Sequence, residues 1–193
     1  IYGGYLIPEL ITDALLQKIN LQYKKTVKDD FQIEKRELEF LLACETTHRE
    51  RYTALSLLGK HFNVNWYTGD QKIIPNVTKE AYVDYLTQMP VVFHKSKINL
   101  NMSLKTIRTG IPMRALDIMG CGGFLLSNYQ VELAECFTDG QECVLYESLE
   151  DLYEKCSFYY SHESVREKIA CAGFEKVKTE FTFENRLKQI LAL

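Results

Sequence analysis

No apolar run in this sequence approaches the roughly 20 residues needed to cross a bilayer, and the amino terminus lacks the charged and apolar pattern of a secretory signal. Any membrane contact is therefore expected to be peripheral. There is no excess of positive charge: 23 Lys plus Arg face 26 Asp plus Glu, a net charge of -3, which disfavours a nucleic-acid partner. No Cys-x-x-Cys pair occurs, and no histidine stands at metal-ligand spacing from any of the six cysteines, so no zinc site is expected. Glycine forms no Gly-x-Gly-x-x-Gly after a strand, which argues against a nicotinamide dehydrogenase. No serine sits in a Gly-x-Ser-x-Gly elbow and no cysteine has an evident histidine partner, so acyl-enzyme chemistry has no support. Apolar residues make up 46% and charged residues 25%, the balance of a compact globular chain. Scattered cysteines among apolar neighbours suit small buried hydrophobes in a reducing compartment, which points to the cytoplasm. The first residue is Ile1, so the chain reads as a piece of a longer protein.

Apolar residues at three- and four-residue steps predict a helix from Pro8 to about Lys25 and another from Phe31 to Cys44. Thr47 and Glu50 form a capping-box pattern that predicts a third helix starting there. Phe62 to Thr68 has strand chemistry, Pro75 to Val77 reads as loop, Lys79 to Thr87 as a short helix, and Lys97 to Asn101 as a strand. Pro112 suits the first turn of a helix ending at the Gly120 to Gly123 cluster, and Phe124 to Ser127 follows as an apolar strand. Val131 to Phe137 is again helical, Cys143 to Tyr146 a strand, and Ser148 caps the next helix. Two helices near Val165 to Val177 and Asn185 to Leu191 close the chain. Strands alternating with helices predict an α/β fold, a Rossmann-like doubly wound parallel sheet with an N-terminal helical extension.

In such sheets ligands gather at the carboxyl ends of strands. Asn99, Asn101, Ser103 and Lys105 place amide, hydroxyl and cationic groups near one edge. The segment Arg108 to Arg114 leads into a helix whose first amides lack partners and whose dipole favours an anion, a seat for a diphosphate. Gly110 lets the backbone approach closely, and Arg114 offers a planar fork of donors to phosphate oxygens. Asp117 can accept hydrogen bonds from a ribose diol, with a plain surface acid as the competing reading. Ser127, Asn128, Tyr129, Gln130 and Glu132 occupy the next strand-to-helix turn, where either ligand contacts or a simple turn and cap would use them. Each of the four histidines reads as solvated.

In order, the runs KSKINLN (Lys95 to Asn101), GIPMRALDIMGCGGFLLSN (Gly110 to Asn128), ELAECFTDGQECVLYESLEDL (Glu132 to Leu152) and VREKIACAGFEKVKTEFTFENRLKQIL resemble the carboxyl-terminal domain of the spore-maturation-protein type (CgeB-like) glycosyltransferases. The resemblance implies a two-lobed architecture in which the carboxyl-terminal Rossmann-like lobe binds a nucleotide-sugar donor. It puts the family's arginine on Arg114 and its helix acid on Asp117, with Asn99 and Asn101 lining the cleft. Residues 47–193 would then be the donor domain, and residues 1–46 a helical extension or linker from a missing N-terminal lobe. Leaving-group stabilisation would come from cationic and helix-amide donors, with no metal and no cofactor beyond the nucleotide sugar. The broader superfamily pairs two glutamates eight positions apart; here the second is the shorter Asp117 and the first falls on Thr109. No catalytic residue and no acceptor is assigned. Those departures also motivate an alternative, a degenerate Rossmann-like module acting as an interaction or regulatory surface.

Overall fold

The computed structural model describes residues 3–27 and 30–191, with side chains from Leu6 onward. The chain divides into two compact units, Ile1–Arg51 with Leu104–Arg108, and Tyr52–Ser103 with Thr109–Leu193.

The first unit is helical. Where one helix is expected from Pro8, there are two, α1 (Gly3–Leu10) and α2 (Asp13–Val27). The break falls at Thr12, whose hydroxyl accepts the Leu15 amide (3.2 Å) and whose carbonyl accepts that of Leu16 (3.0 Å), an N-cap that the apolar periodicity runs straight through. Asn20 then ties down the chain before α3 (Lys35–Leu58) by clasping both backbone groups of Ile33 (3.0 and 2.7 Å). Ile7, Ile11, Leu38 and Ala43 form the core of this unit.

No new helix starts at Thr47, because α3 runs through that position without interruption. The predicted capping pair is engaged elsewhere. The Thr47 hydroxyl donates to the Ala43 carbonyl (2.7 Å) and accepts the Lys105 amide (2.9 Å), while Glu50 pairs with the buried Lys105 ammonium (2.5 Å). A segment more than fifty positions away thus supplies the partners that a local cap would have used.

The second unit is the α/β part, and all its strand pairs are parallel, as expected. They form two small sheets: β1 (Val64–Tyr67) beside β2 (Val77–Glu80), and β3 (Asn99–Asn101), β4 (Leu125–Asn128) and β5 (Val144–Tyr146) in that order. The short helix expected over Lys79 to Thr87 is not formed. Lys79 and Glu80 instead pair with Trp66 and Tyr67, and Asp84 closes a turn by accepting from the amides of Leu86 and Thr87 and the Thr87 hydroxyl. Those bonds hold the Asp84 carboxyl below its ordinary range.

Helices α4 (Met89–Lys95), α5 (Met113–Gly120), α6 (Val131–Cys136), α7 (Leu149–Ser161), α8 (Glu163–Glu180) and α9 (Phe183–Leu191) complete this unit. Ser148 caps α7 as its sequence position implies, accepting the Asp151 amide (3.0 Å). Gly122, at φ 72°, ends α5: its amide bonds to the Met119 carbonyl and that of Gly123 to the Ile118 carbonyl, both at 2.9 Å. The core gathers Phe93, Ile118, Met119, Leu125, Leu133 and Phe137. Arg166, buried at the start of α8, donates to the Tyr159 carbonyl near the end of α7 (2.7 Å). Among the described residues no helix is long and apolar enough to cross a membrane.

Candidate functional site

Parallel pairing sends the chain out of β3, β4 and β5 at one common edge, where the connections to α5, α6 and α7 begin. Two groups of polar side chains mark this part of the second unit.

The first group bridges the ends of β3 and β4. Asn101 donates its amide to Ser127 Oγ (2.9 Å) and Ser103 Oγ (3.1 Å), and the Ser127 hydroxyl donates to the Asn128 carbonyl (3.1 Å). Asn128 Oδ1 accepts the Ser103 amide (2.8 Å). All four residues are buried, where polar groups need partners, and these bonds link them to one another. Their effect is to fix where the chain leaves β3. Gln130 follows as the buried residue at the start of α6, and Glu132, half-buried, lies in the first turn of that helix.

The second group sits on α5. Gly110, at φ 88° with open space where a Cβ would project, precedes Pro112 and the helix. No side chain caps α5; the first amide with an intrahelical acceptor is that of Ala115, bonded to the Pro112 carbonyl (2.9 Å). The amides of Met113 and Arg114 therefore face outward at the positive end of the helix dipole. The exposed Arg114 guanidinium lies 5.4 Å from the Phe93 ring centre and 6.0 Å from that of Tyr85, contacts that hold it without neutralising it. One turn on, Asp117 Oδ2 accepts a hydrogen bond from the Tyr85 hydroxyl (2.7 Å). That bond, with some burial, raises the Tyr85 phenol above its ordinary range.

Asn99 is not at this edge. It begins β3, at the amino end, where its amide donates to the carbonyls of Phe93 (2.9 Å) and Phe124 (3.3 Å) and so closes the end of α4 against the sheet. Lys105, expected beside Asn101 and Ser103, belongs to the first unit and is paired there with Glu50; Arg108 likewise pairs with Glu39 (3.0 Å). Asn101, Ser127 and Asn128 come together, as do Arg114 and Asp117. Tyr85 went unnoticed because it lay in a segment read as helix, whereas Gln130 falls, as its sequence position implies, in the turn between β4 and α6.

Nucleophiles of other kinds find little encouragement. Burial pushes the thiols of Cys143 and Cys156 up to about 12, leaving them protonated and inert at neutral pH. His94 Nδ1 lies 3.1 Å from the Cys121 carbonyl, His61 meets the Tyr153 ring edge-on at 4.9 Å, and His162 stacks on Phe158 at 4.0 Å. All three are nonetheless exposed, as expected of solvated histidines. Among the described residues no three His, Cys, Asp or Glu side chains converge as metal ligands would.

Residues 19–192 match the family described as glycosyl transferase-like. Among solved structures, the C-terminal domain of a group 1 family glycosyl transferase from Francisella tularensis is similar at 18% identity, with a TM-score of 0.47, over 56% of this chain and 55% of that one. The match thus spans about half the length of that solved domain. No curated protein matches the chain.

Proposed function

The chain belongs to the glycosyl transferase-like family, and we propose that its second unit binds the nucleoside-diphosphate-sugar donor of a glycosyl transfer. The observation that carries this reading is the uncapped amino end of α5, approached through Gly110 and bearing an exposed Arg114, in no salt bridge among the described residues, with Asp117 one turn behind. Diphosphate oxygens need donors and positive charge, and the outward amides with the guanidinium fork offer both. A ribose diol needs acceptors, and Asp117 Oδ1 has no partner among the described residues.

In such a site the chemistry is electrostatic. As the sugar–phosphate bond breaks, negative charge builds on the departing diphosphate, and fixed donors that strengthen as that charge grows lower the barrier. The network around Asn101, Ser127 and Asn128 fixes where the chain leaves β3 before donor arrives, and Glu132 stands at the neighbouring turn. The acceptor and the general base would lie outside this unit, in a second lobe of a CgeB-like enzyme working in the cytoplasm; the six free cysteines are compatible with that compartment.

Arg114→Ala tests the reading. Loss of a charge-assisted hydrogen bond should weaken uridine or guanosine diphosphate binding by about 1.5 to 3 kcal/mol, measured by calorimetry. Unchanged affinity removes Arg114 from the site.

A further inference from the structure

Gln130 lies between β4 and α6 and is only 6% exposed, yet its carboxamide oxygen Oε1 is buried with no hydrogen-bond partner among the described residues. Its backbone carbonyl accepts the Ala134 amide, and its side chain does not cap α6. Asn101, Ser103, Ser127 and Asn128 are engaged with one another, and the Tyr129 amide donates to the Tyr146 carbonyl (2.9 Å). Ser56 Oγ is also buried without a partner, but a helical serine can turn its hydroxyl toward the preceding turn; Gln130 sits in extended backbone with no such recourse. A buried acceptor left unmet is a standing penalty on the ligand-free fold, and it disappears when a bound molecule supplies the missing hydrogen.

The chemistry narrows what that molecule offers. An amide carbonyl has lone pairs and no hydrogen, so it repels phosphate oxygens and accepts only from O–H or N–H. On the donor reading above, the diphosphate is held at α5 and the ribose at Asp117, which leaves the base N–H groups and the hydroxyls of the transferred sugar, and the sugar offers the larger ring of donors. We propose that Gln130 Oε1 accepts a hydrogen bond from a hydroxyl of the transferred sugar and is a specificity residue for it. This inference rests on the donor reading.

The test uses Gln130→Met, similar in length and free of the carbonyl, with Gln130→Leu as a second variant should the first not fold. Each is melted without ligand and titrated with uridine and guanosine diphosphates and with their hexose conjugates. The variant should melt no lower than the wild-type chain, because it loses only an unmet acceptor. It should bind the bare diphosphate unchanged and the hexose conjugate about three- to tenfold more weakly. A clearly lower melting temperature in both variants means that the oxygen already has a partner, such as a bound water, and overturns the inference. So does unchanged affinity for the conjugate, or an equal loss for the bare diphosphate, which moves the contact to the nucleotide. Failure of the wild-type chain to bind any of the nucleotides sinks the donor reading and this inference together, whereas binding without a Gln130 effect sinks the inference alone.

Discussion

Replacing Gly123 with alanine should disrupt the junction where α4, α5 and β4 meet. A Cβ at this position would lie 2.7 Å from the Phe93 carbonyl oxygen, 2.7 Å from Asn99 Nδ2 and 3.0 Å from the Ile118 carbonyl oxygen. The two carbonyls belong to helices and cannot swing away; the Ile118 oxygen also accepts the Gly123 amide. The Asn99 amide can retreat only by breaking its bond to the Phe93 carbonyl, which leaves a buried acceptor unmet. Overpacking of a tight site costs about 1 to 3 kcal/mol. The lost hydrogen bond adds about 0.5 to 1.5 kcal/mol. The sum, about 1.5 to 4.5 kcal/mol, is a large share of the stability of an ordinary domain. The measurement is a urea titration followed by fluorescence of Trp66, the single tryptophan, which lies in β1 of the same unit. Because Asn99 and Gly123 share the contact, Asn99→Ala combined with Gly123→Ala should destabilise by less than the sum of the two single changes. A loss below about 0.5 kcal/mol for Gly123→Ala would refute the reasoning, since a contact this close cannot be relieved so cheaply.

Glu50→Ala should strand the Lys105 ammonium, 5% exposed, without its counter-charge and destabilise the helical unit by about 3 to 5 kcal/mol in chemical denaturation; Glu50→Leu with Lys105→Met should recover most of that loss, and equal stability of single and double variants contradicts the pairing. The Tyr85 phenol, raised by its bond to Asp117, contributes stability that is present below the ordinary phenol range and is lost as pH rises through the raised value. Asp117→Asn should therefore let Tyr85 ionise at lower pH in an absorbance titration referenced to Tyr85→Phe, and an unmoved phenolate curve counts against the contact.

How much of this was legible in the sequence depended on whether the deciding partner was near in the chain. Pro112 and Gly122 bound α5 by backbone rules that act within a few residues, and Ser148 caps α7 for the same reason. Thr47 and Glu50 spell the same local signal as a helix start, but the segment around Lys105 captures both side chains, and no local reading can anticipate a partner so far away. Val77–Glu80 is likewise a strand only because β1 lies beside it. Within the candidate site, Asn99 and Asn101 looked equivalent, two residues apart on one strand. Parallel pairing puts them at opposite ends, so that one closes α4 against the sheet and the other anchors the carboxyl edge. Arg114 and Asp117 were visible because helix spacing brings them to one face. Tyr85 was not, since its approach depends on the turn built by Asp84.

The central claim, that this unit seats a nucleoside-diphosphate sugar, is tested most directly by a thermal-shift titration of the chain with uridine, guanosine, thymidine and adenosine diphosphates and their sugar conjugates, with and without magnesium. The account predicts saturable stabilisation by one nucleotide series, present without magnesium and reduced in Arg114→Ala. A flat response across the whole set, from a chain that melts cooperatively, would contradict it and favour a module that kept the fold and lost the ligand.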